Sequence, residues 1–260
     1  MGWGRWSAER LRRRQMTDPR AARRGYVPDD ERNFSPESIE KLRLASRHVL
    51  YLINEGYDLK QATTFVGNHF LLSERQRLAV MRSLATIQQL AMRKDKLVNC
   101  TEAAGREVWI DGFNTVITLE VLMSDSLLFS CMDGTIRDLA SLRGTYRIIP
   151  ETEAAVRLLF DSLAEMKIHS AAVLLDQPVS NSGRLKAFMA ELAVGYPFSL
   201  DIQIQNDVDR VLYEKENVIS SDSIILDRCL SWINLAAACM ERQNRQGLRV
   251  WNVQSENLDE

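Results

Sequence analysis

Apolar positions fall on a helical period over the first third of the chain and on short, separated runs thereafter. From Ser35 onward, Ile39, Leu42, Ser46, Val49 and Ile53 recur at three- and four-residue spacing, which places them on one helix face. Ser35 suits the N-cap, Pro36 the first helical position, and Gly56 the stop. Asp58-x-x-Gln61 and Ser73-x-x-Gln76 read as two capping boxes. The first opens a short helix through Ala62, Val66 and Phe70; the second opens a longer one through Val80, Leu84, Ile87 and Ala91. Residues 34–98 are thus expected to form a small all-helical domain of three helices.

From residue 106 the pattern changes to strands alternating with helices, the signature of a mainly parallel α/β sheet. Strands are expected at Glu107–Asp111, Leu127–Met132, Tyr146–Ile149, Ala171–Leu175, Leu200–Gln205 and Asn217–Ser220, with an edge strand over Leu248–Val253. Helices are expected at Thr115–Met123, Glu151–Lys167, Arg184–Leu192 (capped by Ser182) and as one long element over Ser223–Glu241. Residues 99–260 make up this second domain, a Rossmann-like sheet with flanking helices.

Composition adds little, but charge distribution adds more. Apolar residues make up 45% of the 260 positions and charged residues 26%, and the net charge is −2. Residues 1–27 carry eight Arg against Glu9 and Asp18, a net charge of +6, leaving −8 for the rest. Residues 1–33 therefore read as a basic extended arm. They are either a disordered extension or a contact for nucleic-acid phosphates, with Trp3 and Trp6 available for stacking. The basic side chains of Arg75, Arg77, Arg82, Arg93, Lys94 and Lys96 read as a solvated helix face or a nucleic-acid flank. Cys100, Cys131, Cys229 and Cys239 form no CxxC pair and have no His at zinc-ligand spacing, which fits reduced thiols in a cytoplasmic protein. No apolar run is long enough for a membrane span. Walker, GxGxxG, GxSxG and HExxH motifs are absent, so ATPase, dinucleotide-dependent, serine-hydrolase and zinc-protease chemistry lack support.

The candidate chemistry lies in acids at strand ends. Asp111, Asp176 and Asp222 each follow an expected parallel strand, and Asp209 lies just past another. Neighbouring strands would bring these carboxylates into one crevice. Like charges there repel, and a divalent cation with oxygen preference, Mg²⁺ or Mn²⁺, relieves the repulsion. Each acid also has a plainer reading. Asp111 before Gly112 suits a turn, Asp222 before Ser223 suits a helix cap, Asp176 before Gln177-Pro178 suits a loop, and Asp209 a solvated helix start. Asn114 is a cap or a group that orients water or phosphate, the second role shared with Ser221; Asp133 and Asp138 are weaker acid candidates, with Asp133-Gly134 a common turn dipeptide, and Glu120 is a helix-borne ligand or an exposed helical acid. Arg137, Arg143 and Arg184 are candidate phosphate contacts. The Asp176–Gly183 segment alternatively forms an anion cradle at a helix N-terminus.

These residues carry a resemblance. Ile110-Asp111-Gly112-Phe113-Asn114 resembles the opening motif of the NYN branch of PIN-like nucleases. Ile219-Ser220-Ser221-Asp222-Ser223 resembles that family's later strand end, and Val208-Asp209 its Val-Asp pair. Ile224 stands where the family commonly has a further acid. The resemblance spans about residues 106–230 and implies a PIN-like fold, a Mg²⁺ or Mn²⁺ site on Asp111, Asp176, Asp209 and Asp222, and hydrolysis of RNA. The other reading is a non-catalytic RNA-binding or assembly module that keeps the fold. From about Arg24 the chain also resembles the uncharacterised prokaryotic domain-of-unknown-function family 434. The segments are Arg24-Gly25-Tyr26, Asp29-Asp30-Glu31, Leu72–Arg77 and the Asp111 motif.

Overall fold

The computed structural model describes residues 23–140 and 144–252. Its N-terminal part is helical: α1 (Asp30–Asn33), α2 (Pro36–Asn54), α3 (Leu59–His69), α4 (Glu74–Ser83) and α5 (Ile87–Asp95). Ser35 caps α2 through the N–H of Ser38, and Pro36 opens it. Ile39, Leu42, Ser46, Val49 and Ile53 are all buried, as their spacing requires. Asp58 accepts from the N–H of Gln61, and Ser73 with Gln76 forms a complete capping box.

The helix expected to run from Val80 past Ala91 is instead two helices. Leu84 takes an extended conformation, and Thr86 with Gln89 makes a second complete capping box that starts α5. The Thr-x-x-Gln signature was present in the sequence, but the continuous apolar spacing concealed it. Arg93, expected on a solvated face, is 2% exposed.

The remaining chain builds the sheet. Strands β1 (Glu107–Asp111), β4 (Ser170–Asp176), β5 (Ser199–Gln205) and β6 (Val218–Ile219) lie in the order β5-β4-β1-β6, all parallel. A separate antiparallel hairpin pairs β2 (Leu128–Ser130) with β3 (Ile136–Asp138). The helices are α6 (Gly112–Met123), α7 (Pro150–Glu165), α8 (Ser182–Leu192), α9 (Val208–Leu212), α10 (Ser223–Arg228) and α11 (Leu235–Arg242). Strand alternation divides the core. Val108, Ile110, Val173, Leu175 and Ile219 pack on one face with residues of α6, α7 and α8. Leu174 and Val218 pack on the other with residues of α9 and α10 and with Trp232. Burial on both faces explains the unbroken Ala171–Leu175 run. A third apolar cluster joins the N-terminal helices to Phe129, Leu139 and Val250, so the helical part packs directly against the hairpin.

Four other expectations need correction. Tyr146–Ile149 is not a strand: Thr145 makes one isolated bridge to Ser180, Tyr146 is fully buried, and Ile149 leads into Pro150 of α7. The long helix over Ser223–Glu241 is broken, because the segment around Trp232 runs beside β6. There Ile233 donates to Val218, and Val218 donates to Ser231. Backbone pairing and the fully buried Trp232 override the helical spacing. Leu248 makes a single bridge to Phe129 rather than an edge strand, and residues 253–260 lie outside the described residues. Ser182 lies inside α8, whose N-cap is Asn181 in the left-handed region (φ 67°).

The basic arm divides. Residues 1–22, with Trp3 and Trp6, lie outside the described residues. Residues 23–33 are folded. Arg23 donates to the Ser124 carbonyl at the C-terminal end of α6, and Arg24 reaches the buried Glu120 at 2.7 Å. Arg75 clasps Asp30 and the carbonyl of Gly25.

Candidate functional site

Successive strands of the sheet lead outward from β1 to β4 and β5, and the chain then returns to the far side of β1 as β6. Open parallel sheets bind ligands at such a reversal, outside the C-terminal strand ends. Asp111 ends β1, Asp176 ends β4, and Asp222 follows β6 by three residues. The strands are parallel, so the three acids lie on the same sheet edge. All three line one cleft of about 510 Å³.

Local geometry assigns each a distinct state. Asp111 occupies the N-cap position of α6, yet its side chain makes no cap bond. It accepts instead from Ser220 Oγ at 2.8 Å. Gly112 makes this sharp exit possible: a Cβ there would lie 2.6 Å from Leu175 Cδ2 and 2.7 Å from the Leu174 carbonyl oxygen. The Asp222 side chain does cap α10, with Oδ1 accepting from the N–H groups of Ile224 and Ile225. The capping role thus belongs to one oxygen of Asp222. Asp176 is half-buried and Asp209, in the first turn of α9, is exposed.

Burial pushes the Asp111 carboxyl up to about 7, against the lowering effect of Ser220; the charges of Asp222, Asp209 and Asp176 raise it further. Asp209 is also raised, by the partial covering of its carboxyl although the residue is exposed as a whole, and then by Asp222, Asp176 and Asp207. Asp176 is raised by burial, against the N–H of Val208. The four acids therefore share one electrostatic field. Among the described residues, however, no three of them converge tightly enough to form a preformed metal-ligand group.

Asn114 is neither a cap nor free. Its Oδ1 accepts from the Ser221 N–H at 2.9 Å and the Ser221 hydroxyl at 3.0 Å, which ties α6 to the end of β6. Arg137 lines the cleft but is buried. It donates to the carbonyl of Ser221 at 2.6 Å, to the carbonyl of Arg82, and to Asp133 at 2.7 Å. Arg184 is exposed on α8 and is not part of the cleft lining, and Arg143 lies outside the described residues. At the proposed anion cradle, Asn181 Nδ2 donates to the carbonyl of Tyr146, which fixes the start of α8.

Sequence reasoning missed Ser220 and gave little weight to Asp138, Arg82 and Asp133. Ser220 joins Asp111 to the backbone N–H of Asp222, which donates to its Oγ at 3.0 Å. Asp138, a weaker acid candidate on sequence, lines the cleft and accepts from Thr118 at 2.8 Å. Arg82 lines the cleft beside it. Asp133, whose pairing with Gly134 suggested a turn, is the centre of a buried ion network with Arg93 and Arg137, which Arg93 extends to Asp227. Glu120, expected to be exposed, is fully buried and holds Tyr146, Thr152 and Arg24. The cysteines are all free, three buried and Cys100 half-buried.

A parallel α/β domain with an acid-lined cleft at its strand reversal, walled by a helical unit, is the class that this geometry defines. The chain belongs to the family described as "Domain of unknown function (DUF5616)", whose model matches residues 100–238. The model "Protein of unknown function (DUF434)" matches residues 41–96, so the likeness to family 434 covers the helical unit and the sheet falls to the other family. An uncharacterized protein of Methanocaldococcus jannaschii is 34% identical over 189 residues, covering 73% of this chain and 89% of that relative. No solved structure matches the chain. Among the described residues, no helix is long and apolar enough to cross a membrane.

Proposed function

We propose that the protein is a Mg²⁺- or Mn²⁺-dependent nuclease of the PIN-like type that hydrolyses phosphodiester bonds in RNA. The observation that carries this reading is the gathering of Asp111, Asp176 and Asp222 around one cleft at the strand reversal, with Asp209 in the same field. The donor set fits a hard divalent cation: it is all oxygen, and its mutual repulsion needs a positive charge to offset it. Asp111, Asp176 and the Asp222 oxygen not used in capping would hold the ion, with Asp209 as a further ligand. Mg²⁺ keeps several waters, so carboxylates that surround the ion without converging remain a suitable set. When bound, such an ion polarises water and offsets charge on a phosphodiester.

The chain's own residues supply the positioning. Ser220 orients Asp111 and fixes the backbone of Asp222. Asn114 and Arg137 hold Ser221 from two sides, so the end of β6 keeps its place beside β1.

The spacing of the acids favours one rival, a non-catalytic RNA-binding or assembly module, since no three of them among the described residues form a ready metal group. Cleavage of mixed single-stranded and structured RNA with Mg²⁺, Mn²⁺ or EDTA separates the two. The nuclease reading requires metal-dependent cleavage that falls about 100-fold or more in Asp111→Asn and Asp222→Asn. The double variant should be little worse than either single one, because both act through one site. Cleavage that persists in EDTA or in the double variant sinks the nuclease reading, and RNA binding without cleavage leaves the binding module.

A further inference from the structure

The acid edge is only half of the cleft. Another part of its lining comes from the helical unit: Leu59 at the start of α3, and Leu78 and Met81 on α4. All three are half-buried within the fold, so their side chains keep surface open to the cleft. Arg82, next to Met81, lines the same space with about a third of its side chain exposed. The lining of the cleft therefore combines apolar side chains, an arginine paired with Asp138, and the acid edge, in a volume of about 510 Å³. That size falls within the range of small-molecule sites and is far too small for a double helix. A single nucleotide has matching parts: an apolar, stackable base and an anionic phosphate that a cation must bridge to carboxylates.

We infer that Leu59, Leu78 and Met81 form a nucleobase subsite, through which the helical unit holds one unpaired nucleotide while its phosphate faces Asp111, Asp176 and Asp222. This inference rests on the proposed phosphodiester chemistry for the orientation of the nucleotide, and it assigns a specificity role to a part of the chain outside the α/β domain. Two structural facts support such a role. The helical unit is fixed to the α/β part through the shared cluster with Phe129, Leu139 and Val250. The buried Arg93–Asp133–Arg137 network joins α5 to the carbonyl of Ser221. The wall and the acid edge are thereby held in a set relation.

The test is equilibrium binding to the full chain, in Mn²⁺, of two probes that differ only in the base: adenosine 5′-monophosphate and ribose 5-phosphate. Adenosine 5′-monophosphate should bind about tenfold more tightly or better, the discrimination expected from burying about 60 Å² of base surface against an apolar wall. Met81→Gln, polar but uncharged, should abolish most of that ratio while ribose 5-phosphate binding and Mn²⁺ affinity stay unchanged. Met81→Ala, which only shortens the side chain, should reduce the ratio part of the way. Equal binding of the two probes, no binding of either, or an unchanged ratio in both variants overturns the inference. RNA cleavage without base discrimination defeats the subsite alone. Base-discriminating binding without any RNA cleavage defeats the nuclease reading and leaves the subsite standing.

Discussion

Arg137 Nε donates a 2.6 Å hydrogen bond to the carbonyl oxygen of Ser221, the residue before Asp222. This buried arginine reaches from the β2–β3 hairpin to the end of β6 and holds the segment that presents an acid to the cleft. Its guanidinium also meets Asp133, whose carboxylate is 1% exposed and is shared with Arg93. Arg137 is therefore a positioning residue.

Arg137→Ala should destabilise the fold by about 3 kcal/mol, because it leaves a buried carboxylate with one fewer partner and the Ser221 carbonyl without its donor. Chemical denaturation measures this. Arg137→Lys should recover only part of the loss, since one ammonium cannot reproduce the planar fork. A change below about 1 kcal/mol in Arg137→Ala would show that the network is not coupled to stability. The acid side carries a sign. Burial opposes ionisation of Asp133, but Arg137, Thr135 and Arg93 outweigh it and hold its carboxyl below the ordinary range. Its contribution is therefore present above the unfolded value of 3.8 and is lost as pH falls through the folded value.

Asp111 has the opposite sign. Its folded value is about 7 against 3.8 unfolded, so the folded state holds the proton more tightly. Without divalent ions, its stabilising effect is complete below about 4 and is lost as pH rises to about 7. Asp111→Asn should abolish this dependence. Measured in EDTA, the variant should be more stable than wild type by about 1–3 kcal/mol at pH 8, with the gap closing by pH 4. A variant less stable than wild type at pH 8 would mean that the buried Asp111 carboxylate is not held at the expense of stability.

The acid edge was legible in the sequence because it depends on local rules: a β-branched run, an acid at its end, then glycine or serine. Gly112 carried the clearest signal, since its close approach to β4 is a backbone requirement. The partners of those acids were not legible. Ser220 meets Asp111 only once β6 pairs with β1, and Arg82 and Asp138 meet the site only after the helical unit and hairpin dock, contacts far apart in sequence. Helix ends were legible where capping boxes stood alone, at Ser73, and were lost at Thr86, where apolar spacing ran across the break. Trp232 lay on a helical period, but backbone pairing with Val218 decided its conformation.

Gly112 gives a test of the turn itself. An added methyl group meets Leu175 Cδ2 at 2.6 Å, which can shift, and the Leu174 carbonyl oxygen at 2.7 Å, which belongs to the central strand. Gly112→Ala should cost about 1–3 kcal/mol by overpacking, even though alanine favours helices. It should also displace Asp111 and so weaken Mn²⁺ binding. Full stability together with unchanged Mn²⁺ affinity would show that β1 and β4 separate more easily than this packing implies.

The clamp on Glu120 gives the last prediction. Glu120 is fully buried on α6; Oε1 accepts from Tyr146 at 2.6 Å and from Thr152, while Oε2 faces Arg24 Nε at 2.7 Å. Burial raises its carboxyl above the ordinary value, against the lowering effects of the Arg24 charge and of the three hydrogen-bond donors. Removing Arg24 takes away the largest of those opposing effects, so the value should rise further. By linkage, the added penalty appears only where Glu120 would be ionised. Arg24→Ala should therefore cost about 2–4 kcal/mol near pH 8, less than a fully buried pair because Arg24 is 18% exposed. The cost should shrink as pH falls and Glu120 takes up a proton, because Tyr146 and Thr152 still occupy Oε1. Urea denaturation of both proteins at pH 8 and pH 5 measures the difference. A cost that is the same at both values would assign Arg24 to packing and to its bond with the Arg147 carbonyl, and would leave Glu120 out of the coupling between this basic segment and α6.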